Sequence, residues 1–193
     1  MIRVCVVDDH PALRTGLWTV IRSEPGMSFA GSAAGRDEAM ELVKRVQPDV
    51  VLVDYQLPEE DGILLCQRLK SLRDPPRVII YSAYSDPVLA IPAILAGADG
   101  VANKAALADD LLNAIRLVAR GRFVVPSIPP HLREVSAAKL DPEDLPIFSM
   151  MMDRIPLPEI AETMAMEERD LRGRLRAMLG KLRVPTAKVT LGW

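Results

Sequence analysis

Short apolar runs alternate with amphipathic segments along the first 122 residues, and this alternation limits the folds that the chain can adopt. None of the five runs alternates strictly between apolar and polar side chains, as expected for strands buried on both faces. A segment with helical spacing follows each run. The order predicts an α/β fold in which a five-stranded parallel sheet is doubly wound by helices. The predicted strands comprise residues 4–7, 29–33, 50–53, 78–82 and 100–103.

The composition is that of a globular protein. The 193 residues are 49% hydrophobic and carry a formal net charge of −2, so no global charge excess indicates nucleic acid or a membrane surface as a partner. The longest apolar stretch, residues 88–98, contains Pro92 and Gly97 and is shorter than the roughly 20 residues of a membrane span. No signal-peptide pattern precedes the first strand, and Cys5 and Cys66 lack the spacing of metal ligands. These features favour a cytoplasmic protein with no membrane partner.

The character of the sequence changes after Arg122. Residues 123–139 contain three prolines and show no sustained periodicity, which predicts a linker. Helical spacing resumes at Leu140. We therefore expect a first domain over residues 1–122, a linker over 123–139 and a small all-α domain over 140–193.

Polar side chains stand at the ends of four of the predicted strands. Asp8 and Asp9 follow the first strand, Asp54 follows the third, Ser82 closes the fourth and Lys104 follows the fifth. Because ligands of open parallel sheets bind at the carboxyl ends of the strands, we expect these groups to converge. Three carboxylates so close together would repel one another unless a cation lay among them, and Mg²⁺ prefers oxygen ligands. The sequence therefore predicts a magnesium site at this edge.

Each of these residues also has an ordinary structural interpretation. Asp8 and Asp9 could favour the positive end of the next helix, Asp54 could be a turn residue, Ser82 a helix cap and Lys104 a solvated charge. Their joint occurrence at strand ends favours the functional interpretation, because clustered, perturbed ionisable groups mark functional sites.

Residues 2–122 resemble the receiver domain of bacterial response regulators, a flavodoxin-like fold. The motifs "VVDDH", "VLVDYQLPEEDGI", "VIIYSAYSD" and "AGADGVANKA" occur in the family's order and spacing. The resemblance implies that Asp54 is the phosphoryl acceptor, that Ser82 donates a hydrogen bond to the phosphoryl group and that Lys104 pairs with it. It also implies Mg²⁺ ligands: Asp8, Asp9, Asp54 and the backbone carbonyl of Gln56.

Two positions depart from the pattern of that family. Val101 stands where receivers often carry an aromatic switch residue. Pro92 lies within the predicted fourth helix, where a proline costs about 3 kcal/mol in a regular helix interior. We therefore expect this helix to be short or kinked, and we expect residues 82–106 to form a switch surface without an aromatic rotor.

Residues 140–184 resemble, more distantly, the LuxR/NarL type of helix-turn-helix output domain. The segments "LDPEDLPIF", "EIAETM" and "LRGRLRAMLGKLRV" take the places of its three helices, and the last corresponds to the recognition helix. Arg169, Arg172 and Arg176 share one face by spacing, and the resemblance implies that Arg172 and Arg176 read bases while Arg169 and Lys181 contact phosphates. Residues expected to face the core of this domain are Leu171, Leu175, Met178 and Leu182.

Together these patterns predict a response regulator that is phosphorylated by a sensor histidine kinase, dimerises and controls transcription by binding promoter DNA. Its chemistry would be limited to phosphorylation and dephosphorylation of its own Asp54, so it would not be an enzyme. One alternative is a phosphorylation-switched interaction module that does not bind DNA, since a basic helix face can simply be solvated. A phosphatase is disfavoured because Gln56 stands where such enzymes place a second acid.

Overall fold

Five parallel strands form one sheet in the order β2-β1-β3-β4-β5. The strands alternate with helices in sequence, so every connection between neighbouring strands crosses over, as parallel pairing requires. The computed structural model describes residues 1–58, 60–83 and 87–182. The strands are β1 Ile2–Val7, β2 Met27–Ala33, β3 Val50–Asp54, β4 Arg77–Ser82 and β5 Gly100–Asn103.

Helices cover both faces of the sheet, which confirms the predicted doubly wound architecture. Among the described residues of this part, the five helices are α1 Pro11–Ser23, α2 Arg36–Val46, α3 Gly62–Leu69, α4 Pro87–Leu95 and α5 Ala108–Ala119. Side chains of α1 and α5 share one buried cluster with the sheet, and those of α2, α3 and α4 share another. The fourth helix spans nine residues and contains Pro92, in agreement with the expectation of a short helix.

The segment predicted as a linker, residues 123–139, contains a helix that its composition did not suggest. This helix, α6, spans Pro130–Ala137. Pro130 occupies its first turn, where a proline costs no intrahelical hydrogen bond and its φ already suits a helix, so the proline-rich composition was a poor guide. The position of the domain boundary remains a prediction.

Three further helices follow within the described residues, each near one of the expected segments. They are α7 Leu145–Met152, α8 Leu157–Thr163 and α9 Glu168–Leu182, and a 3-10 turn over Pro142–Asp144 precedes α7. Pro146 lies in the first turn of α7, where it fits the helix without disrupting it. The four residues of α9 predicted to face the core, Leu171, Leu175, Met178 and Leu182, are all buried.

Helix α4 lies between the sheet and the C-terminal helices. All seven residues from Leu89 to Leu95 are buried, and α4 packs against α6, α7 and α9 as well as against β5 and α3. As a result, one hydrophobic cluster runs from the sheet through α4 into the interior of the C-terminal helices. The two parts of the chain therefore share a core rather than meeting only through a linker.

Two smaller expectations concern membranes and thiols. Within the described residues, no helix combines the length and the apolar character needed to cross a bilayer. Cys5 and Cys66 are free and buried. Burial raises the pKa of Cys5 to about 11 and that of Cys66 to about 12, so both are structural thiols rather than reactive ones.

Candidate functional site

The carboxyl ends of the strands bring together the charged residues that the sequence singled out. The Lys104 Nζ atom lies 2.7 Å from Asp8 Oδ2 and 2.8 Å from Asp54 Oδ2. Asp8 and Asp54 are almost fully buried, with 1% and 3% of their surfaces exposed. Because β1 and β3 are adjacent and β4 separates β3 from β5, a long lysine side chain after β5 is needed to reach both carboxylates.

Asp9 and His10 lie beside Asp8 and Asp54 and complete a cluster of four possible metal ligands. One ligand atom from each of the four residues lies within 4.8 Å of all the others. The Asp9 Oδ1 atom is buried and has no hydrogen-bond partner among the described residues, although it lies 2.8 Å from His10 Nδ1. The His10 backbone N–H donates a 2.8 Å hydrogen bond to Asp8 Oδ1 and holds that carboxylate in place. His10 was not predicted as part of the site, although the motif "VVDDH" places it next to the two acids.

Ser82 and Gln56 lie at the same edge of the sheet. Ser82 is the last residue of β4 and is buried. Its backbone carbonyl accepts a 2.8 Å hydrogen bond from the Lys104 N–H, which ties the β5–α5 loop to β4. The Gln56 backbone N–H donates a 3.2 Å hydrogen bond to Asp54 Oδ1 and so orients that carboxylate. The roles predicted for the Ser82 hydroxyl and the Gln56 carbonyl remain predictions.

The charges of the site depend on one another. Burial raises the pKa of Asp54, the neighbouring Asp8 adds to the rise, and Lys104 opposes it. For Lys104, burial works toward a lower pKa, but its hydrogen bonds to Asp54 and Asp8 outweigh this and raise the pKa. The ammonium group is therefore the cation that makes two buried carboxylates tolerable in this structure.

Replacing Lys104 with methionine should destabilise the protein at neutral pH, because two buried carboxylates lose their shared counterion. We expect a loss of about 2–3 kcal/mol in the free energy of unfolding, below the usual value for a fully buried pair because Lys104 is 17% exposed. The pKa of Asp54 should rise further in the variant. A carboxyl group whose pKa is higher in the folded than in the unfolded protein stabilises the folded state at low pH. This stabilisation is lost as the pH rises through the pKa of the folded state.

Urea denaturation at pH 5 and pH 8 measures this effect. The deficit of Lys104→Met relative to wild type should be larger at pH 8 than at pH 5. Lys44→Met is the matched control, because Lys44 is exposed on α2. Equal deficits at both pH values would show that the lysine does not act as the counterion.

Gly62 allows the loop after β3 to close against Asp54. A Cβ atom at this position would lie 2.1 Å from the Asp54 carbonyl oxygen and 3.1 Å from the Tyr55 Cα atom. The Gly62 N–H donates a 2.8 Å hydrogen bond to the Tyr55 carbonyl, so the close approach is part of the turn. The glycine in "VLVDYQLPEEDGI" therefore serves the geometry of the site.

We expect Gly62→Ala to lower the free energy of unfolding by roughly 1–3 kcal/mol, as overpacking against a rigid backbone does. The displaced loop should also disturb the NMR signals of Asp54 and Gln56. Gly16→Ala is the control, since nothing lies within 4 Å of the Cβ it would add to α1 and alanine favours a helix by about 0.5–1 kcal/mol over glycine. Equal free energies of unfolding for Gly62→Ala and Gly16→Ala would show that the close approach of Gly62 to the Asp54 carbonyl does not affect stability.

Arg172 and Arg176, which were predicted to read bases, form contacts with the first domain in this structure. The Arg172 Nη1 atom donates a 3.2 Å hydrogen bond to the Lys70 carbonyl, just beyond the end of α3. The Arg176 Nε atom donates a 3.3 Å hydrogen bond to Gln67 Oε1 of α3. In this arrangement these parts of α9 face protein, and their contacts with base edges remain a prediction.

Other basic residues of α9 lie away from α3. Arg169 is exposed. Lys181 forms an ion pair with Asp141, and Arg174 forms one with the buried Asp144 at 3.2 Å. Two more basic residues, Arg183 at the end of the segment matched to the recognition helix and Lys188 beyond it, lie outside the described residues. The positive charge of this helix is thus partly neutralised within the chain.

Comparison with known proteins identifies the family. The sequence model of the response regulator receiver domain matches residues 4–116, more than half of the chain. This chain is a response regulator. Its receiver is followed by a LuxR/NarL-type output domain, since its relatives of that type align beyond the receiver.

Two relatives align over nearly the whole chain. DevR/DosR of Mycobacterium tuberculosis, named a DNA-binding transcriptional activator, is 30% identical over an alignment that covers 94% of this chain and 88% of that protein. The nitrate/nitrite response regulator NarL of Escherichia coli K12 is 25% identical, with 98% of this chain and 93% of that protein covered.

Solved structures support the same fold. A LuxR-family response regulator from an Aurantimonas species is 29% identical, with a TM-score of 0.61 over 72% of this chain and 98% of that one. An RcsB response regulator solved as a DNA complex has a TM-score of 0.62 over 94% of this chain and 91% of that one. At 18% identity, the second likeness concerns the fold alone.

Proposed function

We propose that this response regulator accepts a phosphoryl group on Asp54 from a sensor histidine kinase and then controls transcription by binding promoter DNA. The observation that carries the first half is the position of the Asp54 carboxylate, which is buried, lies 2.8 Å from the Lys104 ammonium and adjoins the carboxylates of Asp8 and Asp9. Membership in the receiver family supports the same role.

The donor set fits a divalent cation. One carboxylate oxygen from each of Asp8, Asp9 and Asp54 lies within 4.8 Å of the others, close enough to bind the same cation. The buried Asp9 Oδ1 atom has no hydrogen-bond partner in the described part of the chain. Hard oxygen ligands suit Mg²⁺, and we propose that these residues hold it together with the Gln56 carbonyl. When bound, Mg²⁺ would neutralise charge on the phosphoryl oxygens and on the clustered acids.

The protein groups supply the rest of the chemistry. A carboxylate oxygen of Asp54 attacks the phosphorus atom, the bond from phosphorus to the donor breaks, and the donor leaves with the electron pair. The Lys104 ammonium can then turn from the carboxylate toward a phosphoryl oxygen, and the Ser82 hydroxyl donates a hydrogen bond to another. We propose that this transfer, and the later hydrolysis in which water attacks the phosphorus, the bond from phosphorus to Asp54 breaks and inorganic phosphate leaves, are the protein's only chemistry.

The position of α4 suggests how the site influences the output helices. Helix α4 begins five residues after Ser82 and packs against α7 and α9. A shift of α4 on phosphorylation would therefore disturb the shared core. We propose that this frees Arg172 and Arg176 from α3 and permits a receiver-mediated dimer that places α9 in a major groove.

Two measurements test the proposal. Intact-protein mass spectrometry after incubation with acetyl phosphate should show one added phosphoryl group when Mg²⁺ is present and none when it is removed by chelation. A DNA titration with and without phosphodonor should show tighter binding for the phosphorylated protein. Phosphorylation without any DNA binding would favour the interaction-module alternative, which the partial neutralisation of α9 makes the second candidate.

A further inference from the structure

A crevice lies between the receiver and the C-terminal helices, at the edge of the sheet opposite the acidic site. Its volume is about 330 Å³. The receiver contributes the end of α3 and the segment between α4 and β5, and the C-terminal part contributes the α7–α8 connection and α9. Ligand pockets in proteins begin at roughly this size.

The side chains around the crevice carry more positive than negative charge. Lys70, Arg77, Arg154 and Arg172 line it, against the acids Asp99 and Glu168. Both acids are already paired. The Asp99 carboxylate oxygens lie 2.9 Å from Lys70 Nζ and 2.8 Å from Arg77 Nη1, and Glu168 Oε2 lies 3.4 Å from Arg172 Nη2.

Arg154 is left without a carboxylate partner within the described residues. Its Nη1 atom donates a long 3.4 Å hydrogen bond to the Ala98 carbonyl, and its guanidinium lies 4.7 Å from the centre of the Phe123 ring. Its Nη2 atom is buried and has no hydrogen-bond partner in the described part of the chain. A buried donor of this kind loses its hydration without compensation. The same burial lowers the pKa of Arg154 to about 10.

The backbone also holds Arg154 in an unfavourable conformation. Its φ is +63°, in the left-handed region that favours glycine at the end of a helix. The Arg154 N–H binds the Met151 carbonyl and the Ile155 N–H binds the Met150 carbonyl, so the turn after α7 is a regular helix terminus. An arginine in this place directs a guanidinium from the C-terminal helices onto the receiver, which a glycine could not do.

We propose that the crevice binds a small organic anion whose carboxylate contacts Arg154 and whose apolar body lies against the walls. Guanidinium and carboxylate groups match as paired donors and acceptors, and a small shift away from the weakly bound Ala98 carbonyl would present both nitrogens. Apolar side chains that line the crevice include Ile94, Leu95, Met151, Leu157 and Leu175.

Such a ligand would touch both halves of the protein. It would therefore stabilise the arrangement in which α9 lies against α3, because a ligand favours the state that it binds better. If the proposed function holds, the anion would oppose DNA binding and act as a second input beside phosphorylation. Binding itself does not depend on that function.

Benzoate is the probe, because it joins a carboxylate to an apolar ring. Titration of the full-length protein, followed by NMR or calorimetry without DNA, should show saturable binding of benzoate. Benzamide and acetate should each bind about tenfold more weakly or not at all. Benzamide is uncharged and cannot form the ion pair with Arg154, and acetate lacks the ring that would contact the apolar walls. Shifted NMR signals should belong to residues of both walls.

Arg154→Gln should reduce benzoate affinity about tenfold, while Arg154→Lys, which keeps the charge, should retain part of it. Arg22→Gln is the matched control, because Arg22 lies on α1 and its guanidinium stacks 4.8 Å from the Trp18 ring. Leu157→Trp narrows the crevice without changing Arg154 and provides a second test if the Arg154 variants do not fold. Equal binding of benzoate and benzamide, unchanged affinity in Arg154→Gln and Leu157→Trp, or no saturable binding would overturn the proposal.

Discussion

Replacing Asp54 with asparagine is expected to abolish phosphorylation by acetyl phosphate. The carboxamide has nearly the same shape but is neutral and a poor nucleophile, so the acceptor is lost while the loop is preserved. The fold should survive, because Lys104 keeps its 2.7 Å contact with Asp8 and the variant removes a buried charge. Intact-protein mass spectrometry should show one added phosphoryl group in the wild type and none in Asp54→Asn.

The matched control for this experiment is Asp37→Asn. Asp37 lies on α2 with 75% of its side chain exposed, so its loss should leave labelling unchanged. Unfolding by urea would verify that Asp54→Asn keeps its structure. Labelling of Asp54→Asn at the wild-type level would remove Asp54 from consideration and leave the receiver fold without its proposed acceptor.

Replacing Arg172 with alanine is expected to weaken specific DNA binding by roughly 1–3 kcal/mol, or about 5- to 150-fold, if its guanidinium contacts a base edge. The same change removes the 3.2 Å hydrogen bond to the Lys70 carbonyl. The unphosphorylated variant should therefore lose part of the restraint on α9. We expect the difference between phosphorylated and unphosphorylated protein to be smaller in Arg172→Ala than in the wild type.

Arg169→Ala separates base reading from phosphate contact. Arg169 is exposed at the start of α9, and loss of a phosphate contact should weaken all sequences alike and reduce the slope of affinity against salt concentration by about 1. Arg172→Ala should instead lower the preference for one sequence over another. Fluorescence anisotropy at several salt concentrations, on the protein's own promoter region and on random DNA, distinguishes the two.

Arg22→Ala is the control for the DNA titration, because α1 lies on the other face of the receiver sheet from α4 and α9. If neither phosphorylation state of the wild type bound the promoter more tightly than random DNA, the transcriptional role would fail. The interaction-module alternative would then replace it, and the phosphorylation result would still stand.

Local sequence patterns were informative about the receiver because its elements are strongly periodic. Strands buried on both faces leave continuous apolar runs, and the charged residues that end them stand out. Pro130 was misleading because a proline has opposite effects in the first turn and in the middle of a helix. His10 was missed because its place next to Asp9 in the sequence does not show that its ring lies against the carboxylates, which depends on the turn after β1.

The sequence by itself determined the order of strands and helices, the convergence of Asp8, Asp54 and Lys104, and the buried face of α9. All three follow from local periodicity and from the rule that parallel strands end at one edge of a sheet. Only the tertiary structure decided that α4 is covered by α7 and α9, that Arg172 and Arg176 contact α3, and that Arg154 lines a crevice between the two parts. Periodicity shows which side chains are apolar or charged, but not which surface they meet, because that depends on contacts between segments far apart in the chain.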